Sequence, residues 1–437
     1  MEERIRGAKE GEQAIDTEDK KRLMNNFASL SVLQGANYIL PFITVPYLTR
    51  VLGPYHYGLI GFAAALINYF TILTGYGFNL SATREISLKR DDPERISRIF
   101  SSVMIIKSGL LALSLIVLLA VVFSFDRFRA DANVYLFSFG LVAGNVLFPV
   151  WLFQGMERMK YITYINLAGR IALTAAIFIF ISERDRYVLY VILSSATAVL
   201  VGVASLLCAL KVFKVRFVIP SFDELRKEAI DGWYVFISSI SIVLYTSSTT
   251  FILGLFTNNT VVGYFSGADK IRQAVQGLFT PAFQTLYPYV NKLAHDSKEK
   301  ALKFMGKEVL YFGLVGGFVC LLVFVNAEFL VGAILGAEYS ASVVLLRILA
   351  FAPALIVIGN VLTVQCLLSL GLKKDYSRVY IYSSVLGVLA MVYLTREYGA
   401  RGVSFSVLLV EALVMTMTLY RMRRNGIRLF GASGNER

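Results

Sequence analysis

Residues 99–124 read IFSSVMIIKSGLLALSLIVLLAVVFS, twenty-six positions that carry one charge, Lys107. The hydrocarbon core of a bilayer, about 30 Å thick, is crossed by about 20 apolar residues in a helix, so this stretch reads as a membrane span. Just before it stands Asp92-Pro93, an N-cap followed by proline at the first helical position, where the missing N–H costs nothing.

Eleven further stretches of the same kind surround it. The twelve predicted spans run 25–49, 56–81, 99–124, 132–155, 161–182, 187–210, 232–256, 261–290, 304–325, 341–369, 376–394 and 402–420. Composition agrees, because the 437 residues are 56% hydrophobic and 17% charged, with a mean hydropathy of +0.63, against about 25% charged in soluble domains. The predicted fold is an all-α polytopic membrane protein. The first 24 residues are dense in charge with no apolar core, which excludes a cleaved signal peptide. Residues 211–232 form the longest later polar interruption, and Pro220-Ser221 with Glu224 three residues on is a capping-box pattern. The expected organisation is therefore an amino-terminal tail 1–24, a lobe 25–212 of six spans, a linker 213–231, a second six-span lobe 232–420 and a tail 421–437.

Orientation follows from Lys and Arg in the short loops, since such residues resist translocation. One set of connections carries Arg84, Lys89, Arg90, Arg95 and Arg98, then Arg158 and Lys160, then Lys211, Lys214, Arg216, Arg226 and Lys227. It continues with Lys292, Lys298, Lys300, Lys303 and Lys307, then Lys373, Lys374 and Arg378, and ends with Arg421, Arg423, Arg424 and Arg428. The alternate connections hold only Arg50, Arg127, Arg129, Arg184, Arg186, Arg396 and Arg401. Both termini are expected in the cytoplasm of a cell whose plasma membrane holds the chain. The net charge of +13 is thus mostly topological, and no basic arm with interleaved aromatics points to nucleic acid. A faint internal echo, Gly58-Leu-Ile-Gly61-Phe-Ala63 against Gly263-Tyr-Phe-Ser-Gly267-Ala268, suggests a parallel repeat about an axis along the membrane normal.

Charges inside a membrane normally face a cavity or a partner. Lys107, Arg170, Lys270, Arg272 and Arg347 are the candidate bases, Asp269 and Glu411 the candidate acids. Lys107 sits about 12 Å into its span at 1.5 Å per residue. Arg170 is mid-span if span five starts at 161, and an edge arginine if it starts later. Positions 269, 272, 273, 276, 280 and 284 share one helical face. Either Asp269 and Arg272 simply neutralise each other at i, i+3, or the face lines a cavity. Arg347 falls near the external surface. Glu411 has no base beside it on its own span, so it is protonated, bonded to another helix or ion-bound. Uncharged polar stripes, Gln34, Asn37, Pro41 and Thr44, then Asn68, Thr71, Gly75 and Asn79, then Ser238, Ser239, Ser241 and Tyr245 to Thr250, suggest hydrated faces in both lobes.

Signals for covalent chemistry are absent. There is no GxxxxGK[ST] phosphate loop, and His56 and His295 lie in loops. Cys208, Cys320 and Cys366 have no CxxC spacing, which argues against a disulfide or metal cluster. Asp91 and Asp92 in a charged loop read as a solvated face. Five bases against two acids favour an anionic substrate, for which phosphate or diphosphate is the natural partner of Arg and Lys.

The blocks LQGANYILPFITVPYLTRVLGP, YGLIGFAAALINYF and YGFNLSATREISLKRDD between residues 26 and 98, WLFQGMERMKYIT at 151–163, and VGYFSGADKIRQAVQGLFTPAFQTLYP in span eight resemble the Wzx-type repeat-unit flippases of polysaccharide and O-antigen export, within the MATE-like superfamily. That resemblance implies two six-helix lobes around a central cavity that opens alternately to either side. The implied substrate is an undecaprenyl-diphosphate-linked oligosaccharide, flipped from the cytoplasmic to the periplasmic leaflet of the inner membrane. The related lipid II flippases carry an Ala-Asp-Arg-Leu stretch in span eight, to which Ala268-Asp269-Lys270-Ile271 is similar. Lys270 then becomes the implied cavity base and Asp269 its acid, with Arg272 sharing the contact because lysine lacks bidentate geometry. The expected cationic site is Lys107, Arg170, Lys270 and Arg272, and the expected coupling residues are Asp269 and Glu411. No organic cofactor is expected, and the coupling ion is a proton or sodium. Implied partners are the lipid-linked oligosaccharide, membrane lipids, a polysaccharide polymerase and a chain-length regulator. The alternative is a MATE-type exporter of drugs or metabolites, which calls for an acidic cavity. A membrane polymerase or ligase would want a long external loop with catalytic Arg or His, and the connection 326–340 has neither.

Overall fold

The structure is a computed structural model that describes residues 2–427 and Leu429, with side chains described for all of these except residues 2–34, 36–39, 234, 238–247 and 284. The side chains of Gln34, Asn37, Ser238, Ser239, Ser241, Tyr245 to Ser247 and Gln284, expected on polar faces, therefore lie outside the description, as does most of the carboxy-terminal tail.

Every regular element among the described residues is helical. The elements are α1 (Glu2–Gly75), α2 (Phe78–Leu88), α3 (Pro93–Ser124), α4 (Gly140–Leu147), α5 (Met159–Phe180), α6 (Tyr187–Val212), α7 (Phe222–Phe256), α8 (Asn259–Gly277), α9 (Thr280–Asp296), α10 (Lys298–Val325), α11 (Ser342–Leu349), α12 (Ala352–Asn360) and α13 (Lys373–Arg424). Shorter helices fill 126–129, 132–138, 150–155 and 327–334, and Val361–Leu368 forms a π-helical segment after α12. The chain is a multi-pass membrane protein, with eight helical stretches among the described residues long and apolar enough to cross a bilayer. Two of them, Leu40–Leu88 and Lys373–Arg424, are long enough for two crossings each at 1.5 Å per residue. They break at Gly53 (φ 70°) and Gly399 (φ 57°), left-handed backbone that glycine adopts at little cost. α7, α8 and α9 supply the more polar remainder, so the count is consistent with the twelve spans expected.

The caps read from sequence form as written. Arg95 N donates to Asp92 Oδ1 at 2.9 Å. Ser221 N donates to Glu224 Oε2 at 2.9 Å and Glu224 N to Ser221 Oγ at 3.3 Å, closing the capping box that starts α7. Span two breaks at Tyr76-Gly77, and three further predicted spans break at or ahead of a proline. Span four breaks at Phe148-Pro149, span eight at Leu278-Phe279 ahead of Pro281, and span ten at Ala350-Phe351 ahead of Pro353, each where a proline cannot continue the hydrogen-bond ladder.

The chain divides into two compact units. The first comprises residues up to Thr44, Ile67–Ser182 and Val188–Ile237. Its core gathers Phe78, Ile86, Phe100, Val103, Trp151, Leu152 and Phe153 from α2, α3 and the 150–155 helix. Where α7 begins, Glu228 is 3% exposed beside Glu85 of α2, which also pairs with Lys227. Burial, and next the adjacent Glu85, push the Glu228 carboxyl up to about 8 from its ordinary 4.5. Protonated Glu228 can donate to Glu85 Oε2, a buried oxygen without another partner. A carboxyl whose folded value lies above its unfolded one stabilises the fold fully below about pH 4.5, and this contribution is lost as the pH climbs through about 8. The thermal midpoint should therefore fall between about pH 6 and about pH 9, and Glu228→Gln should flatten that fall.

The second unit comprises Val45–Leu66, Glu183–Tyr187 and Ser238 onward. Here the two echoing glycine motifs meet. A Cβ on Gly58 would lie 1.8 Å from Asn259 O, and one on Gly263 would lie 2.0 Å from Pro54 O, so only glycine permits this backbone approach. Arg50 donates to Ala333 O and Arg184 pairs with Glu338 nearby. The core of this unit gathers Met305, Phe312, Val361, Leu362, Cys366, Val379 and Val414.

Candidate functional site

Two halves of α13 run side by side after the Gly399 break, since Cβ atoms at Gly387 and Gly402 would meet Val410 and the Leu394 carbonyl. That hairpin sets Glu411 opposite the polar face of α8 across a cavity of about 480 Å³. Asp269, Arg272, Gln273 and Gln276 of α8 form one wall, and Tyr376, Tyr380 and Glu411 of α13 another. Thr249 and Asn360 complete the polar lining, and the remainder is apolar.

The α8 wall is an ordered network. Arg272 Nε donates to Asp269 Oδ1 at 2.5 Å and Arg272 Nη1 to Gln276 Oε1 at 2.7 Å, while Gln273 Nε2 donates to Asp269 Oδ2 at 2.6 Å. Both Asp269 oxygens are thereby engaged. Arg272 has five N–H donors and two are used, which leaves three for a ligand. The pair is only 12% and 13% exposed, so it is largely desolvated. Arg272 is also the charged group that acts on Glu411 from across the cavity, and on its own helix Glu411 has no base nearer than Arg401 and Arg421. The cavity thus holds two acids and one base. Among the described residues no group of three or more His, Cys, Asp or Glu converges to hold a metal.

The other predicted site residues lie elsewhere. Lys270, one position off the network face, is exposed and does not line this cavity. Arg170 is exposed near the middle of α5, and Arg347 is half-buried in α11. Lys107 is 3% exposed within the first unit, where its Nζ donates to the Asn145 carbonyl at 3.3 Å. The reason is local. Asn145 would bond the amide four residues on, and that residue is Pro149, which has no N–H. Lys107 satisfies the carbonyl that Pro149 orphans at the end of α4, where a cation also complements the helix dipole. Lys107→Met should cost about 1–3 kcal/mol of stability, read by thermal unfolding, with transport per folded molecule unchanged. Unchanged stability with lost transport would place Lys107 on the substrate instead.

Sequence reading passed over Tyr376, Tyr380 and Asn360 on the cavity wall, and Glu308 and Gln365 behind it. Tyr380 lies one helical turn from Tyr376, and its hydroxyl approaches Thr363 Oγ1 of the π-helical segment at 3.3 Å. Repetition of tyrosine at i, i+4 in a span was the signal available.

Comparison with known proteins adds the lineage. Residues 23–294 match the family described as polysaccharide biosynthesis protein. Two proteins named "Putative O-antigen transporter" are similar along nearly their whole lengths. That of Escherichia coli K12 is 32% identical, covering 93% of this chain and 98% of its own, and that of Shigella dysenteriae is 29% identical, covering 91% and 99%. Among solved structures, the lipid II flippase MurJ in an inward-closed conformation superposes with a TM-score of 0.73 at 11% identity, covering 90% of this chain and 87% of that one. At that identity the likeness concerns the fold.

Proposed function

The chain belongs to the polysaccharide biosynthesis protein family, and from that premise we propose that it is a flippase, a carrier that performs no covalent chemistry. Its cargo is an undecaprenyl-diphosphate-linked oligosaccharide repeat unit, moved from the cytoplasmic to the periplasmic leaflet of the inner membrane for surface polysaccharide assembly. What carries this reading is similarity at 32% identity across 93% of the chain to a protein named as an O-antigen transporter, on a fold that superposes on a lipid II flippase.

Alternating access between the lobes 25–212 and 232–420, with both termini cytoplasmic, suits a chain whose basic residues sort to one side. The diphosphate is proposed to meet the free N–H groups of Arg272 in the cavity, and Lys270 and Arg170, both exposed, are proposed as separate basic contacts for the cargo. A fork-shaped guanidinium recognises phosphate oxygens in pairs, whereas lysine acts as a point charge. Coupling to an ion gradient is assigned to the cavity that Asp269 and Glu411 share, where two carboxylates face one base. A polymerase and a chain-length regulator are proposed partners.

The test in cells is complementation. Expression in a bacterium that lacks its own O-antigen flippase should restore surface polysaccharide. A chain present in the membrane at normal level that restores none, with any repeat unit tried, would move the reading to the MATE-type exporter, which two cavity acids also accommodate.

A further inference from the structure

α10 carries a carboxylate that the cavity does not use. Its buried stripe, Ala301, Met305, Glu308, Phe312, Gly316, Cys320 and Val323, recurs every three or four residues, and Glu308 falls on it among apolar neighbours. Glu308 is 5% exposed, and among the described residues neither of its carboxylate oxygens has a hydrogen-bond partner. Lys307 beside it in sequence is exposed, pointing about 100° around the helix.

A second orphan stands near it. Gln365, in the π-helical segment, is 1% exposed with both amide atoms unpartnered. α10 packs against α12 and that segment, and the register is antiparallel, since Gly316 lies against Ala354 and Gly313 against Ile358. The same register carried down the pair sets Glu308 level with Leu362 and Thr363, one helical turn from Gln365. Met305, Phe312, Leu362 and Cys366 close the surroundings in one apolar cluster. A π-helical turn in a membrane helix often marks a functional position.

Burying a polar group without a hydrogen-bond partner is costly, and more so when the group is charged, so a ligand that satisfies both groups at once is favoured. Its charge is positive, because among the described residues no charged side chain acts on Glu308. On the elements packed against α10, Lys292, His295 and Asp296 of α9 and Glu328 of the 327–334 helix are exposed, and Tyr287 of α9 is half-buried. Arg347 of α11 is level with Val323 in this register, about 20 Å away along the axis. The Cys366 thiol lies in the apolar cluster. Hard metal cations take six or more oxygens, and this place offers a carboxylate and a carboxamide. A proton needs one acceptor.

The location connects two compartments. Thr363, two residues from Gln365, faces the Tyr380 hydroxyl on the cavity that Glu411 lines. In the other direction Glu308 is ten residues into α10, about 15 Å from a first turn where Lys298, Lys300 and Lys303 are exposed. We infer that Glu308 and Gln365 form a proton-binding site, with the protonated carboxyl donating to the Gln365 carbonyl oxygen, and that Thr363 and Tyr380 link it to the cavity as the inner station of the coupling path. Release leaves the carboxylate on Glu308 and delivers the proton to water at the basic end of α10. The site's chemistry stands independently of the flippase reading, while its role in coupling rests on it.

Infrared difference spectroscopy of the full-length protein in lipid nanodiscs tests the chemistry. The wild type should show a protonated-carboxyl C=O band that fades as pH rises, Glu308→Gln should remove that component, and Gln365→Leu should shift its frequency by taking away the hydrogen bond. Spectra of Glu308→Gln that superpose on wild type across the titration would overturn the site, and so would a Gln365→Leu band left in place should the first variant not fold. Proteoliposomes with a trapped pH dye test the role. Glu308→Gln should lose at least about tenfold of the flipping rate added by a pH gradient, about 1.4 kcal/mol of drive, yet keep the rate seen at equal pH. A variant that keeps the full gradient effect, or a wild type that flips nothing, would overturn the coupling role while the infrared result still decides the site.

Discussion

Glu411→Gln should reduce ion-driven transport by at least about a hundredfold, roughly 2.7 kcal/mol, while the protein still folds and inserts. Glu411 lines the cavity opposite Arg272, on a helix with no base of its own near it. Glutamine keeps the shape and the hydrogen-bonding capacity but cannot exchange a cation, so an unchanged thermal midpoint with lost gradient dependence isolates the charge. Facilitated flipping at zero gradient should persist. Unchanged transport together with unchanged ion dependence would remove Glu411 from coupling and leave it an interhelical packing group.

Arg272→Ala should have the second large effect, and it must be separated from simple misfolding. Arg272 and Asp269 are an intimate pair, 2.5 Å apart and nearly seven-eighths buried, and removing one partner of a buried pair typically costs about 3–5 kcal/mol because the other charge is stranded. Arg272→Ala is therefore expected to lower both stability and flipping. Asp269→Asn combined with Arg272→Gln removes both charges, so it should recover most of the stability in a thermal unfolding experiment but none of the flipping. Adding Lys270→Ala to Arg272→Ala should weaken diphosphate binding further without further loss of stability, since Lys270 is exposed. Recovery of flipping in the doubly neutral variant would mean that the pair only holds α8 to its neighbours.

Much of this architecture was legible in the sequence. Span three ends at Ser124 as hydropathy predicts, and Asp92 and the Ser221–Glu224 box cap their helices because short polar side chains reach the free N–H groups at a helix start. The face of α8 was legible too, since residues at i, i+3, i+4 and i+7 share one side whatever surrounds them. What hydropathy hid was anything that averaging over a window conceals. Breaks at Phe148-Pro149 and Leu278-Phe279 leave composition unchanged while redirecting the helix. Lys107 reads as an intramembrane charge in search of a ligand, and only the three-dimensional approach of α3 to α4 shows that Pro149 has freed the carbonyl it satisfies. Glu308 stands next to Lys307, one of the loop bases, close to a span end, where a hydropathy window averages the two together. Adjacent residues on a helix point about 100° apart, so the pair never forms. Lys270 and Arg272, two positions apart, point about 200° apart, and periodicity alone places Arg272, not Lys270, on the network face.

Transfer of a diphosphate-linked glycan across the bilayer is measured directly by reconstitution. Purified protein is placed in proteoliposomes with a fluorescent undecaprenyl-diphosphate oligosaccharide, and protection from an impermeant quencher is followed with and without proton and sodium gradients. Protein-dependent protection, accelerated by a gradient, abolished by Lys270→Ala with Arg272→Ala and stripped of its gradient dependence by Glu411→Gln, is the predicted result. No protein-dependent movement of any lipid-linked glycan under either gradient would contradict it.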